Sequence, residues 1–162
     1  MIDLIRIKII SVVEGAIKRF SGYGRQSEQF TNREFLQQYG LSSRPLADAE
    51  GICLKKGNQI FLIATDDRRY RVALEEGEVA IFTDEGDVVH LKRGNEILIQ
   101  TGKLTVEAST EVEITAPAMT LTGDVAIVGD VEVTGAIEAT GDITSDGSIT
   151  DATGNTNHHS HT

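Results

Sequence analysis

From Gly123 onward the chain is a strict six-residue repeat: GDVAIV, GDVEVT, GAIEAT, GDITSD and GSITDA, running into TGNTNHHSHT. Glycine recurs at 123, 129, 135, 141 and 147, and a β-branched aliphatic follows two residues later each time, at Val125, Val131, Ile137, Ile143 and Ile149. Successive side chains of an extended chain point to opposite faces, so the first, third and fifth positions of a hexad share one face and the other three share the second. The first face holds glycine and aliphatics. The second holds Asp124, Asp130, Glu132, Thr134, Glu138, Asp142, Thr144 and Asp146. Glycine, lacking Cβ, suits the point where a short strand turns a corner or backbones approach closely. Each hexad therefore predicts one short strand and one corner, with an apolar face and a wet one.

A repeat of this kind is either a single-chain solenoid or several chains wound together. One chain needs about three such strands per coil, and roughly three or more coils before neighbours bury one another. Five hexads make fewer than two coils. Three copies would instead supply the three walls of a prism at every level, with the aliphatic rows pointing to a shared axis. The stretch therefore predicts one ribbon of an intertwined homotrimer. The fifth hexad position runs Ile127, Val133, Ala139, Ser145 and Asp151, losing size and gaining polarity, which predicts a taper to a narrow polar tip. At that tip stand His159 and His161, two residues apart and so on one side of an extended segment, while His158 points away. One chain offers too few imidazoles for a closed metal site, but three chains offer six. Zinc prefers four ligands in a tetrahedron, and calcium and magnesium prefer oxygen. Six imidazoles suit a six-coordinate transition metal such as iron.

The remaining sequence reads as support for this repeat. Its 162 residues allow one or two small domains. Few aromatics, two prolines and abundant Val, Ile, Thr and Gly suggest a strand-rich, all-β chain. A formal net charge of −10 argues against a nucleic-acid partner, because phosphate binding depends on clustered Lys and Arg. The lone Cys53 excludes an intrachain disulfide framework and reads as a small buried hydrophobe. No apolar run reaches the ~18 residues of a transmembrane span, and the apolar, basic start lacks the pattern of a signal peptide.

Residues 1–20 fit two periods, since Ile5, Ile7 and Ile9 alternate with Arg6 and Lys8 while Val12, Val13, Ala16, Ile17 and Phe20 match a helix. Residues 21–25, with two glycines, read as a turn. Short strands are expected around residues 50–54, 59–64, 71–74 and 79–82, with turn signals between them, which suggests a small Greek-key barrel of the OB type. This gives an N-terminal OB-like domain over residues 1–86, with an N-terminal helix as one option for its start. A trimeric β-helix shaft over 87–156 and a metal-binding apex over 157–162 would follow. Short alternating strands continue through Val88, Leu91, Ile97, Ile99, Leu104, Val106, Val112 and Ile114. Apolar residues fall on even numbers up to Ala116 and on odd numbers from Met119, so a bulge or corner is expected at Pro117.

The stretches QYGLSSRPL at 38–46, ATDDRRYR at 64–71, GEVA at 77–80, DEGD at 84–87 and HLKRG at 90–94 resemble the baseplate spike family of Mu-like contractile-tailed phages, the baseplate assembly protein V family. The GDV-type hexads and the terminal His-x-His are also similar to that family. The resemblance implies an OB-fold followed by a trimeric β-helix, with one iron ion per trimer held at the apex by His159 and His161 of all three chains. It implies a virion component of the tail baseplate, made in the host cytoplasm, attached to hub and tail tube proteins, which pierces the host outer membrane without catalysis.

Bland readings accompany the sharper ones. The run Asp66-Asp67-Arg68-Arg69 is expected to be a solvated surface turn, and His90, with no partner histidine nearby, to be structural or exposed. A hexapeptide acyltransferase would need many more coils and a catalytic histidine. A single-strand nucleic-acid binder would need basic grooves and aromatic platforms that an acidic chain with few aromatics lacks. A structural piercing spike remains, with a trimeric adhesin or fibre tip as the alternative.

Overall fold

The computed structural model describes residues 1–147. Its first strand, β1 (Asp3–Val13), settles the ambiguity of the N-terminus. Ile5, Ile7 and Ile9 point inward, the pairing with the next strand slips between Ile9 and Ser11, and the buried residue after the slip is Val12. One bulge residue moves the inward set from odd to even numbers. That shift mimics a helical period in the sequence, but no helix forms: Asp3–Val13 is strand, residues 14–18 are a connection, and the next strand begins at Arg19.

β2 (Arg19–Tyr23) and β3 (Gln29–Phe35) follow, joined through a single 3-10 turn, then β4 (Glu50–Lys56) and β5 (Gln59–Asp66). The five close into a barrel in the order β1-β2-β3-β5-β4, antiparallel except for the β3–β5 pair. Closure through one parallel pair, with β1 hydrogen-bonded to both β2 and β4, is consistent with the expected OB-like barrel. Inside lie Ile5, Ile7, Ile9, Val12, Phe20, Phe30, Phe35, Ala49, Cys53, Ile60 and Leu62. Cys53 is fully buried, and burial pushes its thiol up to about 12, so it packs as a hydrophobe.

Two glycines let the barrel coil this tightly. A Cβ at Gly22, which lies within β2 and not in a turn, would sit 2.7 Å from the Lys8 carbonyl oxygen. At Gly51 it would sit 2.6 Å from Leu62 Cδ1. Both glycines pair with β1, one on each side, the first against the β1 backbone and the second beneath the Leu62 side chain.

β6 (Val79–Phe82), β7 (Val88–Lys92) and β8 (Glu96–Gln100) form a separate antiparallel meander. Residues 71–74 belong to no strand, contrary to the alternation of Arg71, Val72, Ala73 and Leu74. In a closed barrel β5 is already paired on both sides, by β3 and β4, and offers no edge to a sixth strand. Met1–Glu107 makes one compact unit and the chain beyond it a second. Over the described part of that second unit, residues 108–147, no strand ladder forms within the chain and every residue is exposed.

Candidate functional site

The repeat presents its apolar positions without covering them. Val125, Val131, Ile137 and Ile143 are between 58 and 72% exposed, as are the apolar residues just upstream, Ile114 at 71% and Leu121 at 65%. Gly123, Gly129 and Gly135 adopt φ of 129°, 134° and 148°, the region that favours glycine, at strict six-residue spacing. A Cβ at these three positions would meet nothing within 4 Å, so glycine is required there by conformation and not by space. Gly141 and Gly147 show no such φ, so the corner geometry of the first three hexads is not carried into the later ones. The charge is one-sided as well. All 15 Lys and Arg fall within residues 1–107, whereas residues 108–162 carry nine Asp and Glu and no Lys or Arg. Ile149, Asp151 and the two expected ligands His159 and His161 lie outside the described residues.

Cations in the first unit are engaged in fixing its loops. Lys18, in the connection from β1 to β2, donates to Gln37 Oε1 at 2.7 Å, Ser42 Oγ at 2.9 Å and the Ser43 carbonyl at 2.8 Å. Its Nζ also pairs with Glu14 at 3.0 Å and lies 5.9 Å from the Phe35 ring centroid. Arg44 donates to the Val12 carbonyl at 3.0 Å. Together they hold the long 36–49 connection across the end of the barrel, and Ala49 at its end is buried. No local periodicity announces Lys18, whose hydrogen-bond acceptors Gln37, Ser42 and Ser43 lie 19 to 25 residues away.

The Asp66-Asp67-Arg68-Arg69 run is a solvated turn, as its opposite charges suggest, but an organised one. Arg69 grips Asp67 through two nitrogens, at 2.8 and 2.6 Å, and donates to the Ala47 carbonyl at 3.0 Å. Arg71 forks onto Asp66, and Arg68 reaches Glu50 at 3.2 Å. These guanidiniums hold both aspartates below the usual carboxylate range. His90 is structural: it is buried on β7, with Nε2 2.9 Å from Glu78 Oε2. Glu78 also accepts the backbone N–H groups of Arg93 and Glu75, both at 3.0 Å, and these bonds bring its pKa down to about 2. A cleft of about 480 Å³ between barrel and meander is lined by Phe35, Leu36, Leu41, Ile63, Ile81 and Phe82 among others, without converging acid or base. Among the described residues no three His, Cys, Asp or Glu side chains gather in a way that could hold a metal.

Residues 12–69 match the family model described as Bacteriophage Mu Gp45, N-terminal. The matched segment runs from the end of β1 to the close of β5 and its ion-paired turn, and so takes in most of the barrel, the Lys18 clamp and the 36–49 connection. Over 104 residues the chain is 34% identical to the baseplate puncturing device gp45 of Escherichia phage Mu, an alignment covering 62% of this chain and 53% of that protein. Over these stretches the chain is similar to the baseplate spike proteins of Mu-like phages. It spans about half the length of that relative. The family match also includes residues 21–33, upstream of the motifs that carry the resemblance in the sequence. In this chain the conspicuous 66–69 motif has a structural role, tying β4, β5 and the 36–49 connection together.

Proposed function

We propose that three copies of this chain form the central spike of a contractile-tail baseplate, a rigid, non-catalytic point that is driven through the host outer membrane. The observation that carries this reading is the second unit: an apolar row at strict spacing, with glycine corners in phase, that the chain itself leaves exposed. Rows of that kind are buried when three ribbons share an axis, and each aliphatic side chain so covered contributes on the order of 1.5–3 kcal/mol. The outward positions are Asp, Glu, Thr and Ser, which do not partition into lipid. Passage is therefore mechanical, with force delivered by sheath contraction through the hub and tail tube proteins that the spike would attach to.

His159 and His161 of the three chains would hold one iron ion at the tip. The donor set fits: six imidazoles and no thiolate or carboxylate among the terminal HHSHT residues. Bound there, the metal supplies a cross-link between chain ends where the apolar row has given way to Ser145 and Asp151. The test is native mass together with elemental analysis of the full chain and of the double variant His159→Ala, His161→Ala. The expected result is a trimer in both, with one metal per three chains in the first and none in the second. A monomer, or metal that persists in the variant, would overturn the reading.

A further inference from the structure

The first part of the 36–49 connection, residues 36–43, reads LQQYGLSS and carries no charge, in a chain where 25% of residues are charged. Tyr39 at its tip is fully exposed, and Leu36 and Leu41 on either side are half-exposed. This tip nevertheless stands on a fixed base. Gln37 Nε2 donates to both the carbonyl and the hydroxyl of Ser43 at 2.9 Å, and the Leu41 N–H donates to the Gln38 carbonyl at 3.1 Å. Lys18 adds its bonds to Gln37, Ser42 and Ser43. Gly40 makes the turn with φ of 83°, which a side chain at that position would resist. The shape of the loop is therefore set before anything binds it. Next to the tip opens the cleft of about 480 Å³ between barrel and meander, to which the loop contributes Leu36, Gln38 and Leu41 and whose lining includes no charged residue. A projecting ring and a recess, both uncharged, thus make one continuous patch.

We propose that this patch is where the chain docks on a different protein of the baseplate, with Tyr39 as the anchor, seated in an uncharged pocket of that partner. The inference rests on the spike reading above and names the surface that its attachment would use. Aromatic side chains are enriched, and charges depleted, at the centre of protein interfaces, where a few such anchors carry most of the affinity. A loop already held in shape loses little conformational freedom on binding, which lets one ring serve as an anchor. Symmetry selects a different protein over a sister copy. A threefold ring joins two separate patches of each chain, whereas here the tip and the recess share Leu36 and Leu41 and face one partner together. A patch of that kind pairs with itself about a twofold axis, which a trimer lacks. The chemistry of the partner follows from the same residues: a carboxylate or ammonium pressed against this patch would lose its water and gain no counter-charge, so the facing surface is apolar and uncharged.

Photo-crosslinking in tails assembled with the full chain reads this contact directly, with p-benzoylphenylalanine in place of Tyr39 and, as a reference, in place of Asn58 in the exposed turn between β4 and β5. Irradiation is expected to join position 39, and not position 58, to a second protein species of the tail. Tyr39→Ala should lower the amount of spike recovered with purified tails by about tenfold or more. Tyr23→Ala, which removes an exposed ring from β2, should leave that amount unchanged. The free Tyr39→Ala chain should still sediment as a trimer, which separates loss of docking from loss of assembly. Cross-links from position 39 to sister copies only, a monomeric Tyr39→Ala chain, or full recovery of that variant with tails would overturn this inference and leave the spike reading standing. Absence of the native chain from tails would overturn the spike reading and this inference with it.

Discussion

Residues 3–66 and residues 108–147 are both written in alternating apolar and polar residues, and they come to opposite ends. The first stretch folds its apolar positions onto one another: β1 meets β2 and β4, the barrel closes, and eleven hydrophobic residues are buried. The second buries none of its described residues. Curvature separates the two. In the barrel, a bulge after Ile9 and two glycines against β1 let a short sheet coil on itself until its edges meet. In the repeat, the bend comes once every six residues, at Gly123, Gly129 and Gly135, which sets a regular ribbon rather than a closed sheet. Alternation names a face; how the backbone bends decides whether the same chain can cover it.

The sharpest way to break this comparison is Ile137→Asp in the full chain. On the trimeric reading it places three carboxylates on the axis, and unpaired buried charges cost far more than the apolar contact they replace. Trimers should be lost in sedimentation, while amide exchange still shows β1 to β5 protected. Loss of barrel protection as well would show that the first unit is not self-sufficient. A smaller, converse effect is expected from Leu62→Ala, at a side chain with 0% exposure. It should lower barrel stability by about 2–5 kcal/mol in denaturant unfolding, with the trimer retained in dilute denaturant. Smallest is the pH response of the meander. Glu78, held down to about 2 by the Arg93 and Glu75 amides, has a folded pKa below its unfolded value near 4.5. Its contribution is therefore complete above about 4.5 and lost as pH falls from there toward about 2. Glu78→Gln should flatten that part of the stability profile of β6–β8, and an unchanged profile would show that the carboxylate is not what secures His90 and the Arg93 turn.

Much of this organisation was legible from spacing alone. The hexad glycines, the strands around residues 50–54, 59–64 and 79–82 and the burial of Cys53 follow from local pattern and residue type, whereas His90 could be read only as structural or exposed. What local pattern missed depends on closure or on distant partners. Residues 1–20 fitted two periods because a bulge switches parity within one strand. Residues 71–74 alternate like a strand but find no edge to join. Lys18 and Glu78 look like ordinary surface charges until the connections they tie down are brought to them. The proposed metal ligands His159 and His161 were readable only as a pattern, and lie outside the described residues.

The closed barrel has a bearing on the order in which such a chain matures. Its last strand, β5, ends at Asp66, so every backbone pairing it needs exists before the repeat has left the ribosome. Folding of this part is a first-order event, indifferent to how many sister chains are nearby. On the trimeric reading, winding three ribbons together is a different kind of event, whose rate depends on encounter and therefore on the amount of chain made. During that wait, the portion still holding uncovered aliphatics carries nine carboxylates and no cation. Repulsion between unassembled ribbons would slow their indiscriminate clumping until a defined threefold partner set forms.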